Sequence, residues 1–234
     1  MAPKRWIAGM TAVAVAVSLT TASVSAAALE SIPAYEVVEI GTQLIAQHPD
    51  TTTSTANDVN EDGDVVGYLI GWTANRAFFY SEEAGPVLLP LPAGAGHNEA
   101  VDLTERDAAG NVIIVGLSYF GTNEMATFWR VNAATGAVAR TEVIGVIDPY
   151  TSSVPTAINN AGVVVGYFGL LVAGFATRTP MIYDVNTGVL EVLDFPATPA
   201  DINNNGLIAG GTYRGSENLG RTITAINDQG WAGG

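Results

Sequence analysis

The sequence predicts an all-β fold: a β-propeller-like array of four-stranded antiparallel blades, incomplete as a ring. Three observations carry this. A hairpin signal, Asn-x-x-Gly between β-rich runs, recurs along the chain. Its turn glycines stand at 63, 110, 162, 206 and 230, so the first three intervals are 47, 52 and 44 residues, the length of one blade, and the last is 24. The apolar i, i+3, i+4, i+7 spacing of helical repeats is almost absent after the first 26 residues, while Gly, Thr and Val abound.

The elements follow in order. Lys4 and Arg5 precede an uncharged apolar stretch, Ile7 to Ala22, and the small residues Val24, Ser25 and Ala26. This is the pattern of a secretory signal peptide over 1–26, cleaved after Ala26, because Ser18, Thr20 and Thr21 interrupt the run before it reaches the roughly 20 apolar residues of a membrane span. Residues 27–53 read as an N-terminal strand, Tyr35 to Ile40, and a linker. Residues 54–234 are the β-repeat domain. Its hairpins run from Ala56 to Gly67, Ala100 to Gly116 (a degenerate copy with a short insertion), Thr156 to Gly166, Ala200 to Gly210 and Thr224 to Gly234. Asn and Gly tolerate the positive φ of a tight turn. The closing glycines 67, 116, 166 and 210 either end the second strand or admit another backbone. Third strands are expected at 76–80, 126–130 and 180–184, and fourth strands at 86–90, 138–144 and 189–194. After the fourth hairpin only 13 residues remain before Thr224, too few for the usual third and fourth strands. Three full blades and open ends are expected, with an apolar face and a strand edge that invite self-association.

The hairpins, together with Ala77-Phe78, resemble the extracellular HAF repeats of bacterial proteins, named for a His-Ala-Phe signature. The resemblance covers about residues 54–234 and implies a secreted, propeller-like repeat protein; it implies no established activity. The chain departs from the pattern where Arg76 replaces the histidine, and later copies read Ala126-Thr127-Phe128 and Gly174-Phe175.

Composition bounds the partners. Lys4 is the single lysine. Without residues 1–26, seven Arg face 23 acidic residues, a net charge of 7 − 23 = −16. Such a surface repels phosphate backbones and anionic lipid, so nucleic acid is excluded as a partner. No second run reaches spanning length. With no cysteine, disulfides, thiolate zinc sites and thiol catalysis are excluded.

No catalytic, cofactor-binding or metal residue is assigned. Asp58 to Asp64 opens like a calcium loop. However, Leu69 stands where an EF-hand needs its bidentate Glu, and Val66 where integrin-type propeller loops place an acid. The segment is read as a hairpin turn with acidic decoration, and calcium is not expected to stabilise the fold. His48 and His97 lie apart in loop-like sequence. Ser118 lacks the Gly-x-Ser-x-Gly spacing of a nucleophile elbow and reads as a strand serine. The Trp and Tyr residues fit strand packing better than sugar stacking. The functional expectation is a secreted, non-catalytic binding or scaffolding module for protein or glycan. A propeller-type glycan-cleaving enzyme and a purely structural fragment are the alternatives. Charged side chains converging at the centre would favour the enzyme.

Overall fold

The structure is a computed structural model that describes residues 5–7, 36–48, 50–172 and 175–234. Most of the expected leader, 1–26, lies outside them; within it, β1 (Arg5–Ile7) runs parallel to β2 (Glu36–Val38). A short helix, α1 (Gly41–Gln47), follows. Then come four four-stranded antiparallel sheets, each in sequential strand order. Sheet 1 is β3 (Thr51–Val59), β4 (Val65–Gly71), β5 (Arg76–Ser81) and β6 (Gly85–Leu88). Sheet 2 is β7 (His97–Leu103), β8 (Asn111–Phe120), β9 (Asn123–Asn132) and β10 (Val138–Val143). Sheet 3 is β11 (Ser152–Ile158), β12 (Val163–Val172), β13 (Phe175–Asp184) and β14 (Leu190–Val192). Sheet 4 is β15 (Asp201–Ile202), β16 (Ile208–Gly210), β17 (Tyr213–Arg214) and β18 (Glu217–Asn218), and a hairpin of β19 (Ala225–Ile226) and β20 (Ala232–Gly233) closes the series.

The predicted turns form as expected. Gly63, Gly110, Gly162, Gly206 and Gly230 all adopt positive φ, between 75° and 83°. In each, the residue three before the glycine closes the turn by backbone bonds: Asn60, Asp107, Asn159, Asn203 and Asn227 accept from the turn glycine and donate to the residue four further on. The closing glycines serve close approach. A Cβ at Gly67, Gly116, Gly166 or Gly210 would overlap the carbonyl oxygen of Thr55, Glu99, Val154 or Thr198. In sheets 1 to 3 the partner strand bulges there, with Asn57, Val101 and Thr156 as the extra residues.

Alternation of side chains sends each sheet's two faces to different neighbours. Val66, Ala77 and Phe79 of sheet 1 meet Leu103, Ile114, Trp129 and Val131 of sheet 2. The other face of sheet 2, with Ile113, Val115 and Phe128, meets Ile158, Val164, Phe168 and Met181 of sheet 3. Val165 and Ala157 then meet Ile202 and Ile208 of sheet 4, and Ala209 meets Ile226 of the last hairpin. The sheets thus stack in chain order.

Three sequence expectations are corrected. The N-terminal strand expected within Tyr35 to Ile40 is there as β2, but the sheet face beside it is not left open. Among the described residues of this segment Glu36–Val38 is extended, and Ile40 joins Leu44 of α1 in covering Val65, Leu69 and Phe78 on the outer face of sheet 1. That face is capped rather than open. The linker therefore holds an unforeseen helix, and the first repeat strand begins at Thr51 rather than 54. Lastly, the short fourth repeat does form third and fourth strands. They are two residues each, with turns as short as Gly215-Ser216, which is how they fit. No sheet among the described residues joins strands from the two ends of the chain.

Candidate functional site

Consecutive repeats are joined by polar ladders that run through the turns. The turn residue's side-chain oxygen accepts backbone N–H groups within its own loop: Asn159 Oδ1 takes those of Ala161 and Val163, and Asn203 Oδ1 those of Asn205 and Leu207. Its amide nitrogen reaches forward. Asn60 Nδ2 donates to the Thr104 carbonyl at 3.1 Å, Asn159 to Asn203 at 3.2 Å, and Asn203 to Asn227 at 2.8 Å. One residue on, a second ladder runs from backbone N–H to the next repeat's side chain: Glu61 to Glu105, Glu105 to Asn160, Asn160 to Asn204, Asn204 to Asp228. This is why Asn is needed there. A side-chain amide carries on two separate atoms the acceptor used within the turn and the donor used toward the neighbour.

A third set of contacts uses carboxylates on the first strands. Asp102 accepts from the N–H of Leu103 at 2.8 Å and from Ile158 of the next sheet at 2.7 Å. Asp201 does the same with Ile202 and Ile226. Asp58 also accepts from the Leu103 N–H, at 3.4 Å, which sets its carboxyl beside that of Asp102. Burial and then the adjoining Asp58 hold the Asp102 carboxyl well above the usual range.

The acidic turn read as a decorated hairpin is divided between structural partners. Asp58 faces Asp102. Asp64, fully buried, receives Arg106 Nε and Nη2 at 2.8 and 2.6 Å, while the same guanidinium grips Glu83 at 3.0 and 2.8 Å. The Arg106 hydrogen bonds pull the Glu83 carboxyl down to about 2 and raise the guanidinium's own pKa further. No group of three or more His, Asp or Glu side chains that could hold a metal comes together among the described residues.

Arg106 comes from the one loop that breaks the repeat. Val59 and Val65 enclose five residues, 60–64; the equivalent pair Leu103 and Ile114 encloses ten, 104–113. Thr104 takes the ladder position of Asn60, and the turn is rebuilt further out around Asp107, whose Oδ1 accepts from Ala109 and Asn111. Asp107's carboxyl is accordingly held low. The enlarged loop leaves a polar cleft of about 300 Å³ against the turn of sheet 3, lined by Glu105, Arg106, Asp107, Arg130, Asn160 and Asn186. Burial raises the Glu105 carboxyl, opposed by its bond from the Glu61 N–H. Arg130 Nη1 stands 3.8 Å from Asp107 Oδ2, beyond hydrogen-bond reach, and its guanidinium is hydrogen-bonded to no other group among the described residues.

The other residues singled out from sequence stay apart from this cleft. His48 ends α1. His97 lies in β7, not in a loop, stacked on Tyr119 at 4.0 Å. Ser118 is a fully buried residue of β8, as expected of a strand serine, and its hydroxyl has no partner among the described residues. A second, mostly apolar cavity of about 790 Å³ lies beside Leu91, Phe120, Met125 and Val143. Sequence reasoning saw the insertion but not the cleft. The signal was available in the interruption of a regular motif by three consecutive charged residues, Glu105, Arg106 and Asp107. No helix among the described residues is long and apolar enough to cross a membrane. No family model matches the chain, and no curated protein matches it.

Proposed function

We propose that the mature chain is a secreted, non-catalytic repeat module of the HAF type, that its sheets are propeller-like blades, and that it binds a protein or glycan ligand. The leader-like N-terminus supports export, and the sequential strand order of the four sheets supports the blade reading. One observation carries the non-catalytic reading. Charged side chains do converge along the first strands, but they are committed: Asp102 and Asp201 to backbone N–H groups of the next repeat, and Asp64 and Glu83 to Arg106.

A glycan-cleaving enzyme has one observation behind it. Glu105 and Asp107, in one cleft, have their carboxyls pushed in opposite directions, as an acid and a base require. Asp107, however, occupies the position held by Asn60, Asn159, Asn203 and Asn227 in the sibling turns, where an amide serves equally well. Its low pKa belongs to the turn. The test is to assay exported protein on chromogenic glycosides and on glycan and protein arrays. Saturable binding without turnover is expected. Turnover that disappears in Glu105→Gln overturns the non-catalytic reading.

A further inference from the structure

We infer that the cleft between the turns of sheets 2 and 3 is a subsite for a single sugar residue, held through its hydroxyls by Arg130 together with Asn160, Asn186 and Glu105. The inference rests on the binding-module reading and adds the ligand's chemistry and place.

The argument starts from unused hydrogen-bonding capacity. Arg130 lies on β9, its side chain 30% exposed, with its backbone fixed on both sides by Ile113 and Arg140. A guanidinium offers five N–H donors, and Asp107, with which Arg130 forms an ion pair at 3.8 Å, stands outside hydrogen-bond distance and uses none of them. Asn160 spends its oxygen on the Glu105 N–H and leaves its amide nitrogen free. Asn186 spends its nitrogen on the Ala161 carbonyl and leaves its oxygen free. Glu105 uses its two oxygens on the single Glu61 N–H, so lone pairs remain. The cleft thus presents donors and acceptors side by side, on backbone held by the ladders.

The ligand class follows by comparing what each candidate would meet. A phosphate or sulfate would find Arg130 but also Glu105 and Asp107, on a chain of net charge −14, and like charges within a few ångströms oppose it. A protein partner needs a buried apolar or aromatic anchor at the centre of its contact, and this lining has little beyond Ile113 to receive one. A sugar ring carries vicinal hydroxyls that each donate and accept, which is what the mixed lining matches. The volume of about 300 Å³ is at the small end of ligand pockets and suits one ring. The cleft also belongs to the only enlarged hairpin of the five, so a regular stack of repeats would not create it.

The test uses exported full-length protein and a panel of hexoses, N-acetylhexosamines and hexuronic acids, read by saturation-transfer NMR and calorimetric titration. At least one sugar class should bind saturably. Arg130→Met keeps the apolar stem but removes the donors and should weaken it about tenfold or more, the loss of one charge-assisted hydrogen bond, with melting temperature unchanged. Arg140→Met, on the outer strand of sheet 2 and paired with Glu142, should bind as the parent does. Asn186→Ala supplies a second test if Arg130→Met folds poorly, and should also weaken binding. Sugar binding that survives both Arg130→Met and Asn186→Ala overturns the site. Absence of any sugar binding, with saturable capture on a protein array, overturns the sugar class while sparing the binding module. Absence of both overturns the two readings together.

Discussion

The first three sheets and the last two units of the stack are held together by different means. Between sheets 1 and 2, and between 2 and 3, large side chains interlock: Trp129, Phe79 and Leu89 at the first junction, Phe128, Phe168 and Met181 at the second, all fully buried. Sheet 4 and the final hairpin have strands of two or three residues and small cores built on Ile202, Ile208, Ala209 and Ile226. There the ladder from turn to turn has its most rungs. Asn203, Asn204 and Asn205 all reach the turn of the last hairpin, Asp201 takes the Ile226 N–H, and Arg214 donates to the Gly230 carbonyl. At the second junction, in contrast, Thr104 stands where the ladder asparagine would donate forward, its hydroxyl accepting from the Ile113 N–H instead, and five extra residues are tolerated. The motif is kept strictest where apolar burial is thinnest, and relaxed where the core is thick enough to hold the repeats without it.

The largest test of this contrast removes packing. Trp129→Ala should cost about 3–5 kcal/mol, the range for emptying a buried aromatic site, because the ring is fully buried between sheets 1 and 2 and its Nε1–H also satisfies the Pro90 carbonyl. Urea unfolding should show the loss over the whole molecule.

A smaller effect is expected at a turn in the well-packed part. Gly162→Val forces a β-branched residue to φ near 81° and brings its Cβ to 3.0 Å from Asn186 Nδ2. A cost of about 1–3 kcal/mol follows from holding a non-glycine residue there. An unchanged melting temperature would break the link between the Asn-x-x-Gly motif and this geometry.

Removing a ladder residue should act locally. Asn203→Ala strands the N–H groups of Asn205 and Leu207 and frees the Asn227 carbonyl, at about 1–3 kcal/mol. Hydrogen exchange should accelerate in 201–233 while the strands of sheets 1 to 3 keep their protection. Uniform acceleration would show the stack to be one cooperative unit and dissolve the contrast.

The carboxylates sharpen it further. Asp102 has Asp58 behind it, whereas the position preceding Asp201 in the stack is Ala157. Asp102's folded pKa lies above its unfolded value of about 3.9, so its contribution is complete below that pH and is lost as pH rises through the folded value. Stability should therefore fall as pH rises above the unfolded value and through the raised folded one, and Asp58→Asn should flatten the slope. Glu83 runs the other way, its depressed pKa giving stability that fades only as pH drops from about 4.5 toward 2, and weakly because the side chain is exposed. The two windows separate in urea titrations. Calcium should have the smallest effect. With Asp58 and Asp64 committed to other partners, millimolar calcium should leave the melting temperature unmoved; a large chelator-reversible rise, abolished in Asp62→Ala, would overturn that.

The sequence by itself determined whatever is local or periodic. β-rich runs made strands, Asn and Gly made hairpin turns, and their spacing divided the chain into sheets, because backbone conformation and hydrogen bonding within a turn depend on few neighbours. It also showed that repeat 2 carries an insertion. Tertiary structure decided what meets what. That α1 covers the outer face of sheet 1 was invisible, since Gly41 to Gln47 offers under two turns and no acidic first turn or side-chain cap; it is helical because Ile40 and Leu44 find an apolar sheet to lie on. That Arg106 turns back to Asp64 and Glu83, 42 and 23 residues away, leaving Arg130 with only its long ion pair to Asp107 beside a polar cleft, depends on the packing of one repeat on the next. A single chain shows that charges are present, but the distances between them are fixed only when the sheets stack.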